Sequence, residues 1–484
     1  MTDSVIPSAS EESKPNVEVG CPRLRSLGRR RLSRDDREKR LSGDDRAKKL
    51  SGGTRPYPRW LAGVAASLTF LVLVALCVRF AADRGQGTDL YPRWYGLREL
   101  LLQGRNPYGD DVSREVAVVQ TWFFGQDDLL AGAGLPPVPP DGRASTLETV
   151  FGFLYPLPGV LLIAPLALLP YGVALPLWTL IVLLLLPLAA WMMVDTNVDT
   201  NKERTQDPKP NTQSGEQRIG AAGLLAPAIA LLYLPTWANL LIAQLVPAAA
   251  VLLAVALWLS TRARRPLVAG VALSGAAALK PHVAGPVALA WLAYHAWHAA
   301  RPSAVAVTSR RFCLGFAAGA LGLCGAAFLL LPGWPLEFWR ASRLYFQVAP
   351  LMPALWLAAV AVLPRSMAPL AAGAVAVVAV AWALSGWRMR SRAEAEGVCR
   401  GLIATALIVP PAWETNAIVL LLPLAAALGR TTGRASATGF ALAVSVISLL
   451  DVPLFLALGW SNGPILIMAY VALLWLWRPG RWSR

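Results

Sequence analysis

Charge is what this sequence has least of: Asp, Glu, Lys and Arg make up 15% of its 484 residues, against about a quarter in soluble domains. The deficit is local, because charged residues are absent from 60–78, 171–194, 312–331 and 369–387. Each run approaches the ~20 apolar residues that cross a hydrocarbon core of ~30 Å. That excludes a single soluble globule. Backbone in lipid must satisfy its own hydrogen bonds, so the runs are helices. Ten-residue stretches of alternating polarity are missing, which excludes a β-barrel. Cysteine is scarce and scattered: Cys21, Cys77, Cys313, Cys324 and Cys399 show no CxxC spacing, so neither a zinc site nor a disulfide framework is supported. His282, His295 and His298 have no cysteine or carboxylate at ligand spacing, so no metal site is expected.

What is abundant is positive charge, a net +16. In a soluble protein this would raise nucleic acid as a partner. Here 15 of the Lys and Arg residues lie within 1–59, beside the first apolar run, where they set orientation and meet anionic headgroups. The same segment repeats Leu32-Ser33-Arg34-Asp35-Asp36-Arg37 as Leu41-Ser42-Gly43-Asp44-Asp45-Arg46. A stretch this polar buries no core, so 1–59 reads as a disordered, basic cytoplasmic tail. It is too long and charged for a simple cleaved signal.

With the tail inside, 60–82 is the first span and 83–150 an outer loop with six Lys/Arg against ten Asp/Glu. Further spans are expected at 172–194, 220–236, 240–259, 267–281, 283–300, 312–331, 367–387, 398–411, 415–429, 436–458 and 463–478. That makes twelve, with both termini cytoplasmic. Arg262, Arg310, Arg388 and Arg430 then fall in inner loops, while the outer turns near 235–240, 410–416 and 458–463 carry no Lys or Arg. The positive-inside rule agrees. Prolines at 156, 158, 165 and 170 make 151–170 a juxtamembrane or re-entrant hairpin, and 347–366 is read the same way.

The outer loop holds the most chemistry. Trp94, Leu97, Leu100, Leu101 and Leu102 share a helical face, expected to lie on the outer membrane surface. Asp89 just precedes it, and reads either as the cap of that helix or as a carboxylate facing a headgroup and an acceptor. Lys280, inside a long apolar stretch, is costly at membrane depth and seeks an anion such as a lipid phosphate, unless it snorkels to the interface. Gln244 is a lone amide that reads as an interhelical hydrogen bond or a ligand contact. Gly315, Gly319 and Gly322 read as small-residue helix packing. His295 and His298, with Trp291 and Trp297, read as interfacial.

In order along the chain stand Asp89-Leu90-Tyr91, Gly104-Arg105-Asn106-Pro107-Tyr108, Tyr155-Pro156-Leu157, Leu168-Leu169-Pro170, Leu177-Trp178, Ala243-Gln244, Ala278-Leu279-Lys280-Pro281, Pro410 to Trp413 and Leu420-Leu421-Leu422-Pro423-Leu424. This series resembles the polyprenol-phosphate-mannose-dependent mannosyltransferases, family 87 of the membrane glycosyltransferases. The resemblance covers roughly residues 60–430, leaving 431–484 as additional C-terminal spans. It implies an all-α, polytopic, GT-C-like fold with juxtamembrane helices in the first outer loop. It also implies an inverting hexosyltransferase in a bacterial-type plasma membrane, its active site on the outer face. The donor would be a polyprenyl-phosphate-linked sugar, the acceptor a hydroxyl of a glycolipid or glycan, and no cofactor or divalent metal is required. By the same resemblance Asp89 is the general base; the topology places Lys280 at the donor phosphate and lipid, with an outer-loop arginine such as Arg93 or Arg343, and Gln244 is grouped with them. Tyr91, Asn106, Tyr108, Tyr155, His282, Trp413, Glu414 and Asn416 line the substrate pocket. Where the family places histidine after its Pro-x-Trp element, this chain has Glu414-Thr415-Asn416.

Three other readings compete. A transporter or flippase predicts internal repeats and paired charges near the bilayer middle, and neither stands out. A ligase moving a whole lipid-linked glycan would put its large polar loop late, whereas here it comes first. A catalytically inactive relative fits the altered 413–416 segment.

Overall fold

All regular elements among the described residues are helices. The computed structural model describes residues 64, 68, 71, 72, 75, 89–124, 152–198, 223, 225–303, 305–348, 353–388, 393–410, 414–431, 434–458 and 463–476. The expected tail 1–59 and most of the expected first span lie outside them.

The outer loop contributes α1 (Leu90–Gln103) and α2 (Asp110–Phe124). After it come α3 (Leu157–Ala167) and α4 (Tyr171–Val198), then α5 (Leu225–Leu232) and α6 (Leu234–Ile242). The middle of the chain forms α7 (Val246–Thr261), α8 (Pro266–Leu279), α9 (Pro281–Ala299) and α10 (Ala306–Leu330). Next are α11 (Trp334–Val348), α12 (Ala354–Val362), α13 (Ala368–Gly386) and α14 (Ala393–Ile408). A 3-10 segment, Glu414–Leu420, leads into α15 (Leu421–Gly429), and α16 (Arg434–Leu458) and α17 (Gly463–Leu476) close the order.

Among the described residues, three helices are long and apolar enough to cross a membrane: Tyr171–Thr196, Ala306–Leu330 and Ala368–Gly386. They turn most of their surface outward, with Leu184, Leu321, Leu329, Leu370 and Val377 exposed. These are helices of a membrane protein. α5 and α6 pass the same test only as a pair, bent by 56°. Several of the other expected spans correspond to shorter apolar helices, such as Val246–Thr261 and Pro266–Leu279, below the ~20 residues of a straight crossing.

The expected outer turn at 235–240 is helical instead. Pro235 occupies the first turn of α6, where its missing N–H costs nothing. The break falls later, at Ala243, which adopts the left-handed region with φ 53°. Thr236 and Asn239, within that segment, are buried. The α1 face is also corrected: Trp94, Leu97 and Leu100 are buried in protein. Trp94 Nε1 donates to the Leu166 and Leu169 carbonyls at 3.1 and 3.0 Å. Of that face, Leu101 is half-buried and Leu102 exposed.

Close backbone approach organises the middle of the bundle. A methyl on Gly270 would collide with the Phe312 carbonyl, and one on Gly315 with the Leu267 carbonyl, so α8 and α10 pack almost backbone to backbone. Gly319 belongs to this seam, meeting Ser274, while Gly322 faces open space.

One end of the bundle is a polar rim. Arg262 pairs with Asp195 at 2.9 Å, and Arg430 with Glu396 at 2.6 Å. Glu394 accepts from the Ser260 hydroxyl and approaches His295 at 3.8 Å. At this rim His295, with Trp291, is buried in protein, stacked on Phe312 at 4.0 Å and bonded to Ser309 at 3.1 Å.

Candidate active site

The N-terminus of α1 is fastened to the end of α6, because the Asp89 N–H donates to the Ile242 carbonyl at 2.8 Å. Asp89 does not cap its helix: its backbone is already helical, with φ −87° and ψ −30°, and its side chain accepts no first-turn N–H. The carboxylate turns to Arg93 one helical turn on, whose guanidinium holds Oδ1 at 2.9 Å and also donates to the Asp89 carbonyl. Oδ2 is buried and has no hydrogen-bond partner. Burial works to lower the Arg93 pKa, but the Asp89 carboxylate and Tyr155 outweigh it and the net shift is upward.

Tyr155 lies at the centre of the group. Arg93 sits over its ring at 4.2 Å and the Lys280 ammonium at 4.5 Å from its centroid. Its hydroxyl donates to Gln244 Oε1 at 3.1 Å. Its carbonyl accepts from the Tyr108 hydroxyl at 2.7 Å. Gly159, four residues on, makes this approach possible, since any side chain there would collide with the Ala278 carbonyl beside Lys280. The left-handed turn at Ala243 redirects the chain after α6, and the Gln244 N–H closes on the Asn239 carbonyl at 2.9 Å. Arg93, Tyr155, Gln244 and Lys280 are all buried. Among the described residues, no carboxylate forms an ion pair with Lys280.

A small cavity opens two residues beyond Lys280. It is lined by His282, Val283, Thr405, Ala406, Val409, Asn416 and Val419. Asn416 and His282 therefore meet there, joined by Thr405, which sequence reasoning passed over because it sits inside an apolar helix. Asn239 was missed as well. Its Nδ2 donates to the Thr415 carbonyl at 2.9 Å and to the Pro235 carbonyl at 2.7 Å. A lone amide in an apolar run was the available signal, the same one that flagged Gln244.

Asn106 and Tyr108 brace rather than line the group: Asn106 Oδ1 accepts the Tyr108 N–H at 3.0 Å, and Tyr108 packs edge-on against Phe153. Tyr91 stacks on Tyr95 and meets Tyr171 edge-on at 5.1 Å. Arg343 is exposed on α11 and makes none of these contacts. Trp413 and the Glu414 side chain lie outside the described residues.

Behind α1, Arg105 gathers three carboxylates: Glu99 at 2.8 Å, Asp111 at 2.9 Å and Glu115 at 2.9 Å. These bonds hold Asp111 and Glu115 below the usual carboxylate range. Burial and the bond to Glu115 push the Tyr95 hydroxyl up to about 12. Among the described residues, no three His, Cys, Asp or Glu side chains converge as metal ligands.

The described group thus combines a carboxylate with one free oxygen, a buried cation without a carboxylate partner, and a polar-edged cavity beside them. A family model described as glycosyltransferase family 87 matches residues 153–411, more than half of the chain. The chain belongs to glycosyltransferase family 87. No curated protein and no solved structure matches it. As a family 87 glycosyltransferase it takes a sugar donor and an acceptor. The matched segment includes Tyr155, Gly159, Gln244, Lys280, His282 and Thr405; Asp89 and Arg93 precede it and Asn416 follows it.

Proposed function

We propose that this glycosyltransferase moves a hexose, mannose first among them, from a polyprenyl-phosphate donor to an acceptor hydroxyl with inversion. The observation that carries the reading is the pairing of a buried, unpartnered Asp89 Oδ2 with a buried Lys280, in no ion pair among the described residues, across Tyr155. Inversion needs one base and one stabilised leaving group. The acceptor oxygen attacks the anomeric carbon and its proton passes to Asp89 Oδ2. The bond from that carbon to the phosphate oxygen breaks, and polyprenyl phosphate leaves with the electron pair, its charge met by Lys280. Arg93 serves Asp89 in this account, because its guanidinium is already engaged by that carboxylate. His282, Thr405 and Asn416 are assigned to sugar hydroxyls. The reading needs no divalent metal.

The outer face is supported by where the charges gather. The group around Asp89 meets the first residues of α7 and α9, whereas the rim of Arg262 and His295 sits at their other ends. An arginine-rich rim belongs on the cytoplasmic side. The site is then exported, and the termini are assigned to the cytoplasm.

The test is transfer by the purified protein in lipid, from radiolabelled polyprenyl-phosphate-mannose to a crude glycolipid extract. Labelled glycolipid is the expected result. Transfer from a nucleotide sugar but not from the lipid-linked donor would overturn the reading.

A further inference from the structure

Two cations share one aromatic ring at the site. Arg93 and Lys280 both lie within 4.5 Å of the Tyr155 ring centre. Their electrostatic situations differ. Arg93 is paired with Asp89 at 2.9 Å, while Lys280, equally buried, lies over the ring and forms no ion pair among the described residues. A buried ammonium is costly unless something offsets its lost hydration. A carboxylate would do so, but it would also cancel the charge that an incoming anion needs. The negative face of an aromatic ring stabilises a cation without neutralising it.

We infer that Tyr155 is a positioning residue that keeps Lys280 charged, desolvated and available for an anionic phosphate. This deepens the donor reading above and rests on it. The ring is fixed from both ends to do so. Its hydroxyl is tied to Gln244 at 3.1 Å and its carbonyl to Tyr108 at 2.7 Å. The close approach at Gly159 then presses this segment onto the Ala278 end of α8. Asn106, which turns the chain into Tyr108, and Gln244 therefore act on the phosphate through Tyr155.

The experiment compares the affinities of the full chain in lipid nanodiscs for polyprenyl phosphate and for the uncharged polyprenol. The ratio of the two isolates the anion contribution, and a merely structural defect would not move it. Wild type should prefer the phosphate. Tyr155→Leu should lose about tenfold of that preference, within the range of a desolvated cation–ring contact, and Tyr155→Phe should keep it within about threefold. Should the leucine variant fold poorly, phenylalanines carrying one, two and three ring fluorines at position 155 preserve the shape. The preference should then fall stepwise with fluorination. An unchanged ratio in Tyr155→Leu or across the fluorinated series would overturn the role of the ring and leave the donor reading standing. A drop in Tyr155→Phe as large as in Tyr155→Leu would also overturn it, by pointing to the hydroxyl. Wild type that binds polyprenol as well as polyprenyl phosphate would sink the donor reading itself, and the inference with it.

Discussion

Arg93 holds one oxygen of Asp89 at 2.9 Å and leaves the other buried without a partner. A surface ion pair of this i,i+4 spacing would be worth little. Here Arg93 is 9% exposed and Asp89 26%, so the pair fixes the direction of the carboxylate as well as its charge. Asp89→Asn is therefore a milder change to the fold than removal of Arg93, which would strand a partly buried carboxylate.

Gly159→Ala should destabilise the protein sharply, because the added methyl would collide with the Ala278 carbonyl. Overpacking of this kind costs about 1–3 kcal/mol. Gly172→Ala is the control, since a methyl there meets nothing within 4 Å. Thermal unfolding in detergent should show a lowered Tm for the first and little change for the second. Equal midpoints would remove the close approach from the account.

Ala243→Gly should leave stability unchanged or raise it slightly. Alanine pays roughly 1–2 kcal/mol in the left-handed region, and its φ is 53°. Glycine relieves that strain, though it adds back about 0.4–1 kcal/mol of unfolded-state entropy. A large fall in Tm would mean that this turn is not left-handed in solution.

Arg105 predicts a pH dependence. Its bonds hold the Asp111 and Glu115 carboxyls below their ordinary range. A carboxyl whose folded pKa is lowered contributes stability that is complete above its unfolded value, about 4, and that is lost as pH falls through the folded value. Both carboxylates are well exposed, so the effect is small and screened by salt. The Tm advantage of wild type over Arg105→Gln should be greatest near neutral pH and shrink below about pH 4. An advantage that grows on acidification would contradict the pairing.

Much of this architecture was legible because apolar length is a one-dimensional signal. The span expected at 172–194 became Tyr171–Val198, and that expected at 312–331 became part of Ala306–Leu330. Lys280 and Gln244 were legible as polar groups out of place and Asp89 through the family resemblance, and they are joined through Tyr155 and Arg93. What could not be read was the joining itself. It depends on Gly159 meeting Ala278 and on Asp89 bonding to Ile242, contacts between segments far apart in the chain. The turn expected at 235–240 is helical, and Asn239 and Thr236 within it are buried. Their partners, the Thr415 and Ala230 carbonyls, are supplied by the fold. Arg343 was grouped with the phosphate ligands by side of the membrane alone, and it is exposed on α11.

The most direct test of the account is sugar transfer from polyprenyl-phosphate-mannose by wild type and by Asp89→Asn, each purified in lipid and matched for folded protein. Asparagine keeps the shape and the contact to Arg93 but cannot accept a proton, so transfer should fall by at least about 10²-fold with donor binding retained. Equal transfer by the two proteins would remove Asp89 from the chemistry and contradict the account.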